Sequence, residues 1–229
     1  MSSRIPLCAV SSTLLLIAVA TTAAEWEGYE RLTRQQVERT IGAQSAGAPD
    51  LYAKNLSGAD LSGLEFRGAN LSAAVLNEAN LSGANLDGCK FNVSFLQGTN
   101  LSDASLREAV FFSAQLQGAN LRNADLTSAR LIGDLRDAEL SGAKLIKVNA
   151  AADMKNQSMG LMRTNIVSAT AVRADLSDSD FSRSDMSFSD FTGAKLVRTK
   201  LYRADFSGAL LIGADLSGVP SNLGKTKLA

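Results

Sequence analysis

Bulky apolar side chains recur at every fifth position of this chain. Leucine or phenylalanine fills that position seventeen consecutive times from Leu51 to Leu131, and the period resumes between Leu161 and Leu216. A helix would turn by about 140° between such residues and spread them around its surface. A straight strand would send them alternately to opposite faces. The pattern therefore predicts a chain that bends within each repeat, so that all of these side chains point into one interior.

The residue two positions before each apolar centre supports this interpretation. It is alanine, cysteine, serine or threonine in fourteen of the seventeen repeats, as at Ala59 and Cys89. On an extended segment, residues two positions apart lie on the same face. These small residues therefore also point inward and interdigitate with the large ones. The other positions hold mostly Asn, Asp, Ser, Arg and Gly, which are typical of exposed turns.

The repeat Ala59-Asp60-Leu61-Ser62-Gly63 and its copies resemble the pentapeptide-repeat family from about Leu51 to Gly218. The residues alone leave three or four repeats per coil open, because both would place the leucines inside. The resemblance implies an all-β fold, a right-handed quadrilateral β-helix, with four repeats per coil. This solenoid would have about eight coils, each paired only with its neighbours.

The period slips once. After Leu131 the next leucine, Leu135, comes one residue early, and residues 148–160 lack a bulky side chain at the expected centres. This predicts a bulge followed by an irregular insertion at about residues 146–160 within the solenoid of residues 51–218. Two hypotheses stay open: a degenerate repeat without a task, or a recognition loop. The loop would present Met154, Lys155, Met159 and Met162.

The amino-terminal residues predict export. Residues 1–24 combine one early charge, Arg4, with an apolar stretch and an exit of small residues, which is typical of a cleaved signal peptide. We therefore expect a periplasmic or secreted protein, with an uncleaved membrane anchor as the alternative. Residues 25–50 predict a short helix and a linker that cap the first coil. In that helix Thr33 and Gln36 form a capping box and Gly42 ends it.

Five apolar residues of this cap are expected to contact the first coil: Trp26, Tyr29, Leu32, Val37 and Ile41. At the other end, residues 219–229 form a tail with Pro220 and two lysines. Either this tail folds over the last coil or two copies meet there. The resemblance implies a homodimer through this carboxy-terminal end.

The residue types argue against catalysis. The chain has no histidine, which is the commonest general base, and Cys89, its only cysteine after signal removal, points inward. The aspartates fall at the outward turn position that the repeat itself requires. We predict no enzyme activity, no cofactor and no metal site.

Three arginines have a spacing of twenty residues: Arg163, Arg183 and Arg203. In a four-sided coil they would share one outward column. Asn165, Asp185 and Asp205 lie beside that column and would neutralise it. The column is therefore either a set of internal ion pairs or a site for an anionic polymer.

These observations predict a non-catalytic exported scaffold or protein-interaction module of the cell envelope. Its partner would be a protein or an anionic envelope polymer, and it would touch membrane only through an uncleaved signal. The resemblance implies one alternative, a DNA mimic that binds DNA gyrase. With 23 basic and 23 acidic residues the chain has no net charge, which argues against mimicry of a polyanion and against nucleic-acid binding.

Overall fold

The computed structural model describes residues 26–43, 47–152, 162–221 and 226. The chain divides into two compact units, Met1–Glu30 and Arg31–Ala229. In the described part of the first unit, the rings of Trp26 and Tyr29 pack edge to face with centroids 5.7 Å apart. The predicted signal peptide lies outside the described residues.

Regular elements are few and short. Strand β1 is Glu30–Arg31, helix α1 is Arg34–Gly42, and strand β2 is Lys54–Asn55. Strands β3, Val110–Gln115, and β4, Arg130–Asp134, pair in parallel. Elsewhere in the second unit the described chain forms single parallel bridges joined by turns.

The bridges stack into four ladders. A regular bridge joins a residue to the one twenty positions later, as in Asp60 with Asn80, so each coil holds four five-residue repeats. The three-sided alternative is thereby excluded. We number the faces 1 to 4 by the ladders that start at Asp50, Asn55, Asp60 and Glu65. The first ladder runs through Asp50, Asn70, Lys90, Val110, Arg130, Asn149, Asp180 and Lys200.

The core is a continuous column of the predicted inward residues. Leu61, Phe91 and Phe111 are fully buried, as are small neighbours such as Cys89. Phe91 and Phe111 stack with their ring centroids 4.7 Å apart and their planes within 3° of parallel. Burial raises the pKa of the Cys89 thiol to about 12, so it stays protonated and acts as packing.

The predicted bulge is confirmed and lies on face 1. Phe112 pairs with Ile132, but Ala114 pairs with Gly133, because the turn after Leu131 is one residue short. A Cβ atom on Gly133 would lie 2.6 Å from the carbonyl oxygen of Ala114. Only glycine therefore fits where the shortened turn crosses the preceding coil.

The insertion follows one coil later on the same face. Asp134 pairs with Asn165, a spacing of 31 residues instead of 20. Ala150 still occupies a buried inward position and Ala152 still donates to the carbonyl of Ser182, so the regular path continues past residue 146, where the sequence places the start of the irregularity. Met154, Lys155 and Met159 lie outside the described residues.

Thr164 closes the insertion. Its hydroxyl is buried and lies 2.5 Å from the carbonyl oxygen of Leu131 and 2.8 Å from that of Ala150. The side chain thus occupies the small inward position and satisfies backbone acceptors next to the irregular segment.

Helix α1 begins as the sequence predicts. The Thr33 N–H donates to Gln36 Oε1 at 2.8 Å, and the Gln36 N–H donates to Thr33 Oγ1 at 3.3 Å, which completes a capping box. Val37, on the inner side of this helix, is fully buried and joins the solenoid core with Leu32, and Ile41 packs against it.

The amino-terminal segment also binds backbone carbonyls of the first coil. In later coils such carbonyls accept hydrogen bonds from the coil before. Here the Leu32 N–H donates to Asn55 at 3.1 Å, and the Arg34 guanidinium donates to Asp60 at 3.0 Å and to Ser62 at 3.2 Å. Leu32 and Arg34 therefore take the place of a preceding coil.

Replacing Arg34 with alanine removes two of these donors. We expect Arg34→Ala to lower the free energy of unfolding by about 1 to 2 kcal/mol, because two carbonyls lose a charged donor. Arg39→Ala, on the exposed part of the same helix, is the matched control and should change it by less than about 0.5 kcal/mol. Chemical denaturation measures both; equal effects would show that the contacts of Arg34 do not stabilise the coil.

Gly133→Ala tests the close approach at the bulge. The added methyl group must displace the carbonyl of Ala114, so we expect a loss of about 1 to 3 kcal/mol in unfolding free energy. Gly47→Ala is the control, because no atom lies within 4 Å of the added Cβ and Gly47 does not adopt a positive φ. A Gly133→Ala protein as stable as the Gly47→Ala protein would contradict this account.

Candidate functional site

The outward aspartates build turns. Their carboxylates accept the backbone N–H two residues later, as Asp175 does from Ser177 at 3.0 Å and Asp190 from Thr192 at 2.8 Å. This local bond explains why the repeat prefers Asp or Asn at this position. Within the described ranges, no group of three or more acidic, cysteine or histidine residues could hold a metal ion.

Three carboxylates of one coil pair with cations of the next: Asp175 with Lys195 at 3.9 Å, Asp178 with Arg198 at 2.6 Å, and Asp180 with Lys200 at 3.6 Å. Arg198 binds both carboxylate oxygens of Asp178. These hydrogen bonds, and the charge of Arg198, hold the pKa of Asp178 below its ordinary value. These three cations, on faces 4 and 1, are therefore engaged within the molecule.

Two of the predicted arginines frame an aromatic ring on face 1. Arg183 and Arg203 occupy successive left-handed turn positions, with φ of 66° and 58°. Their guanidinium carbons lie 5.8 Å and 5.3 Å from the ring centroid of Tyr202, which is cation–π range. This arrangement leaves planar donors at the surface of the last two coils.

Arg163 differs from these two residues. It lies at the end of the insertion, its backbone is not left-handed, and its guanidinium binds Asp185 at 3.0 Å. The three arginines therefore do not form one uniform column: the predicted neutralisation by Asp185 holds for Arg163, while Arg183 and Arg203 contact Tyr202.

A surface cleft of about 380 Å³ lies beside the bulge. It forms where the shortened turn at Gly133 leaves out one residue of the wall. Met162 and Arg163, two of the predicted interaction residues, line it, and the Ser113 hydroxyl contacts the Met162 sulfur at 3.3 Å. The insertion and the bulge thus meet at one place on the rod.

The polar side of the cleft is ordered by Asp134. Its carboxylate accepts hydrogen bonds from Gln117 at 2.8 Å and from the Arg136 guanidinium at 2.7 Å. Burial raises the pKa of Asp134, but the hydrogen bonds from Arg136 and Gln117 outweigh it and hold the pKa below its ordinary value. Sequence reasoning missed these residues, although the residue missing after Leu131 marked the place.

Five large apolar side chains are exposed in the described part of the chain: Tyr52, Val93, Phe188, Leu210 and Ile212. Three of them, Phe188, Leu210 and Ile212, belong to the last two coils. Sequence reasoning did not single out Leu210 and Ile212, although both interrupt an otherwise polar outward pattern.

Among the helical residues that the structure describes, α1 included, no helix has the length and apolarity to cross a membrane.

Comparison with known structures gives three examples of similar proteins. HetL, a pentapeptide repeat protein involved in heterocyst differentiation regulation in the cyanobacterium Nostoc, is 26% identical, with 86% of this chain and 94% of that chain covered and a TM-score of 0.40. Full-length QnrB1, a plasmid-mediated fluoroquinolone resistance protein, is 16% identical, with 87% and 89% covered and a TM-score of 0.43. A pentapeptide repeat protein from the thylakoid lumen of Arabidopsis thaliana is 30% identical, with 49% and 68% covered and a TM-score of 0.30. Comparison with curated proteins finds no match.

The family model for pentapeptide repeats matches eight copies, over residues 55–92, 96–131, 161–198 and 189–219, which is more than half of the chain. Members of this family form right-handed quadrilateral β-helices and are in general non-catalytic structural or binding proteins. The twenty-residue coils and the buried leucine column agree with that architecture. The chain therefore belongs to the pentapeptide repeat family.

Proposed function

We propose that this protein is an exported, non-catalytic scaffold of the cell envelope that binds a protein or an anionic polymer through face 1. The family supports a binding role. Many of the outward aspartates are used for turns and ion pairs, and Cys89 packs in the core. The side chains that remain available at the surface are suited to binding a partner.

The stack of Arg183, Tyr202 and Arg203 carries this proposal. Two guanidinium groups lie on one ring, so their positions are fixed and less side-chain entropy is lost on binding. Arg and Tyr are also the residue types that dominate binding energy at protein interfaces. A partner carboxylate, phosphate or sulfate would complete the hydrogen bonds of these guanidinium groups.

The cleft beside the bulge extends this surface. Arg163 and Met162 lie between the cleft and the arginine–tyrosine stack, so the partner would contact both regions of face 1. Met162 supplies apolar contact, while Asp134 fixes the polar edge. We therefore place the recognition surface on the part of face 1 that carries the irregularities.

Mimicry of DNA has less support. A polyanion mimic needs continuous negative charge, whereas the described carboxylates on face 4 alternate with lysine and arginine from coil to coil. The whole chain has no net charge. These observations therefore favour the envelope scaffold over a DNA mimic that binds gyrase.

Export is tested by fractionation. We expect the full-length gene product to appear in the periplasm or the medium, with a mature amino terminus near residue 25, because residues 1–24 have the pattern of a cleaved signal. Mass spectrometry of the purified protein gives the terminus. Removing residues 1–24 should retain the protein in the cytoplasm, and full-length protein found there without this deletion would contradict export.

Partner contact is tested by photo-crosslinking on face 1. A benzoylphenylalanine at Tyr202 should form adducts with envelope material, whereas the same residue at Tyr52 should not. Tyr52 is the matched control, because it has the same turn position on the first coil and is followed by Ala53 instead of an arginine.

The two arginines provide the second control. Arg183→Gln with Arg203→Gln should reduce the Tyr202 adducts about tenfold, since the charged donors are lost while the turn positions remain filled. Protease treatment of the adduct distinguishes a protein from a polysaccharide. Adducts that are equal at Tyr52 and Tyr202, or unchanged by both substitutions, would show that this stack is not the binding surface.

A further inference from the structure

The carboxy-terminal end of the solenoid has an open backbone edge. In an interior coil, the inward residue and the turn residue two positions later donate their N–H groups to the next coil. Met186 donates to the carbonyl of Asp205 at 2.8 Å, and Phe188 donates to that of Ser207 at 2.9 Å. The equivalent donors of the last coil on this face, Phe206 and Gly208, have no hydrogen-bond acceptor in the described chain.

The same edge continues around face 3. Phe191 donates to the carbonyl of Leu210 and Gly193 to that of Ile212, both at 2.8 Å. Their counterparts in the last coil, Leu211 and Gly213, again have no acceptor among the residues described. Four backbone N–H donors, spaced as in a regular coil, are thus unpaired among the described residues at this end of the solenoid.

One residue of the tail, Thr226, is described at this end. Its hydroxyl donates to the carbonyl of Leu201 at 2.6 Å, which places it at the corner between faces 1 and 2. A second copy stacked squarely on all four faces would have to displace Thr226. An occupant that pairs only with the free donors of Phe206, Gly208, Leu211 and Gly213 does not compete for the carbonyl of Leu201.

The outward side chains at this edge also depart from the repeat. The ladder of face 3 is polar until its last member, Leu210, which is 50% exposed: Asp60, Asn80, Asn100, Asn120, Glu139, Thr170 and Asp190. Ile212, two residues later, is 68% exposed. Free edges usually carry charge or proline against unwanted pairing, so apolar side chains here indicate a surface that becomes covered.

Phe188 lies beside the same edge, at the left-handed turn position of its repeat. It has φ of 59°, which bulky residues rarely adopt, and its side chain is 68% exposed. Its ring lies over Gly208, where an added Cβ would be 2.6 Å from the ring. The glycine therefore makes room for an exposed aromatic ring next to the free donors.

We propose that the open edge of faces 2 and 3 binds an extended segment of a partner protein by strand addition. About ten residues, the length of two repeats, would supply carbonyl oxygens to Phe206, Gly208, Leu211 and Gly213. Apolar side chains of the segment would contact Phe188, Leu210 and Ile212. This inference rests on the proposed role as a binding scaffold and names a second contact on it, apart from face 1.

A synthetic peptide that copies residues 205–214 is the probe. In the protein this sequence already accepts hydrogen bonds from the preceding coil in the same register. With isotope-labelled protein, we expect the amides of Phe206, Gly208, Leu211 and Gly213 to exchange rapidly with solvent. Adding the peptide should slow their exchange at least about tenfold, while a scrambled peptide of the same composition should not.

Substitutions at one outward column provide the matched pair. Ile212→Asp should weaken peptide binding at least about tenfold, because it puts a charge into the apolar contact. Thr192→Asp, one coil earlier in the same column, should change it by less than about twofold. Both positions are outward, and a thermal melt confirms that each variant is folded.

Three results would overturn the proposal. The first is slow exchange of the four amides in the free protein, and the second is equal protection by the scrambled peptide. The third is a dimer, detected by light scattering, in which the four amides are protected, because a second copy would then be the occupant. If the peptide does not bind while the Tyr202 adducts persist in the Ile212→Asp protein, the strand addition is wrong and the proposal of an envelope scaffold is retained. If the Tyr202 adducts do not form while the peptide binds, the binding role of face 1 is wrong and the strand addition is retained.

Discussion

Backbone hydrogen bonds between successive coils are the constraint on which the rest of this structure depends. Each regular bridge joins a residue to the one twenty positions later. Because a coil has four faces, each face must contain five residues for the bridges to remain in register. That requirement fixes an inward leucine or phenylalanine, a small inward neighbour and a left-handed turn in each repeat. It also favours Asp or Asn before the inward residue, because a side-chain acceptor there binds the turn N–H. The five-residue period of the sequence is therefore a consequence of the hydrogen bonds between coils.

Departures from the period are tolerated only where local chemistry repairs the register, and both lie on face 1. Gly133 allows a shortened turn because it has no Cβ, and Thr164 ends the insertion with a hydroxyl that binds two buried carbonyls. The ladders of faces 3 and 4 continue through both coils, with Glu139 paired to Thr170 and Lys144 to Asp175. The cleft lined by Met162 and Arg163 therefore results from two irregularities stacked on one side of an otherwise regular rod.

The sequence predicts most of the interior because burial acts on residue type at fixed spacing. It predicts less of the surface. Reading only bulky residues as coil centres placed the insertion too early, since Ala150 fills a regular inward position with a small side chain. The contact of Arg34 with the carbonyls of Asp60 and Ser62 joins segments that share no pattern, so only the folded chain shows it. The exposure of Phe188 and Ile212 likewise depends on where the coils end.

The two ends of the solenoid differ because the chain direction makes them chemically unequal. At the amino-terminal edge, each face presents two carbonyls for each free N–H, as the bonds accepted by Asn80 and Ser82 in the next coil show. Cationic donors suit that edge, and Arg31 and Arg34 supply them. The carboxy-terminal edge presents two N–H groups for each carbonyl, so a lysine or arginine side chain cannot close it. Closure there needs acceptors, and the main-chain carbonyls of an extended polypeptide provide them at the required spacing.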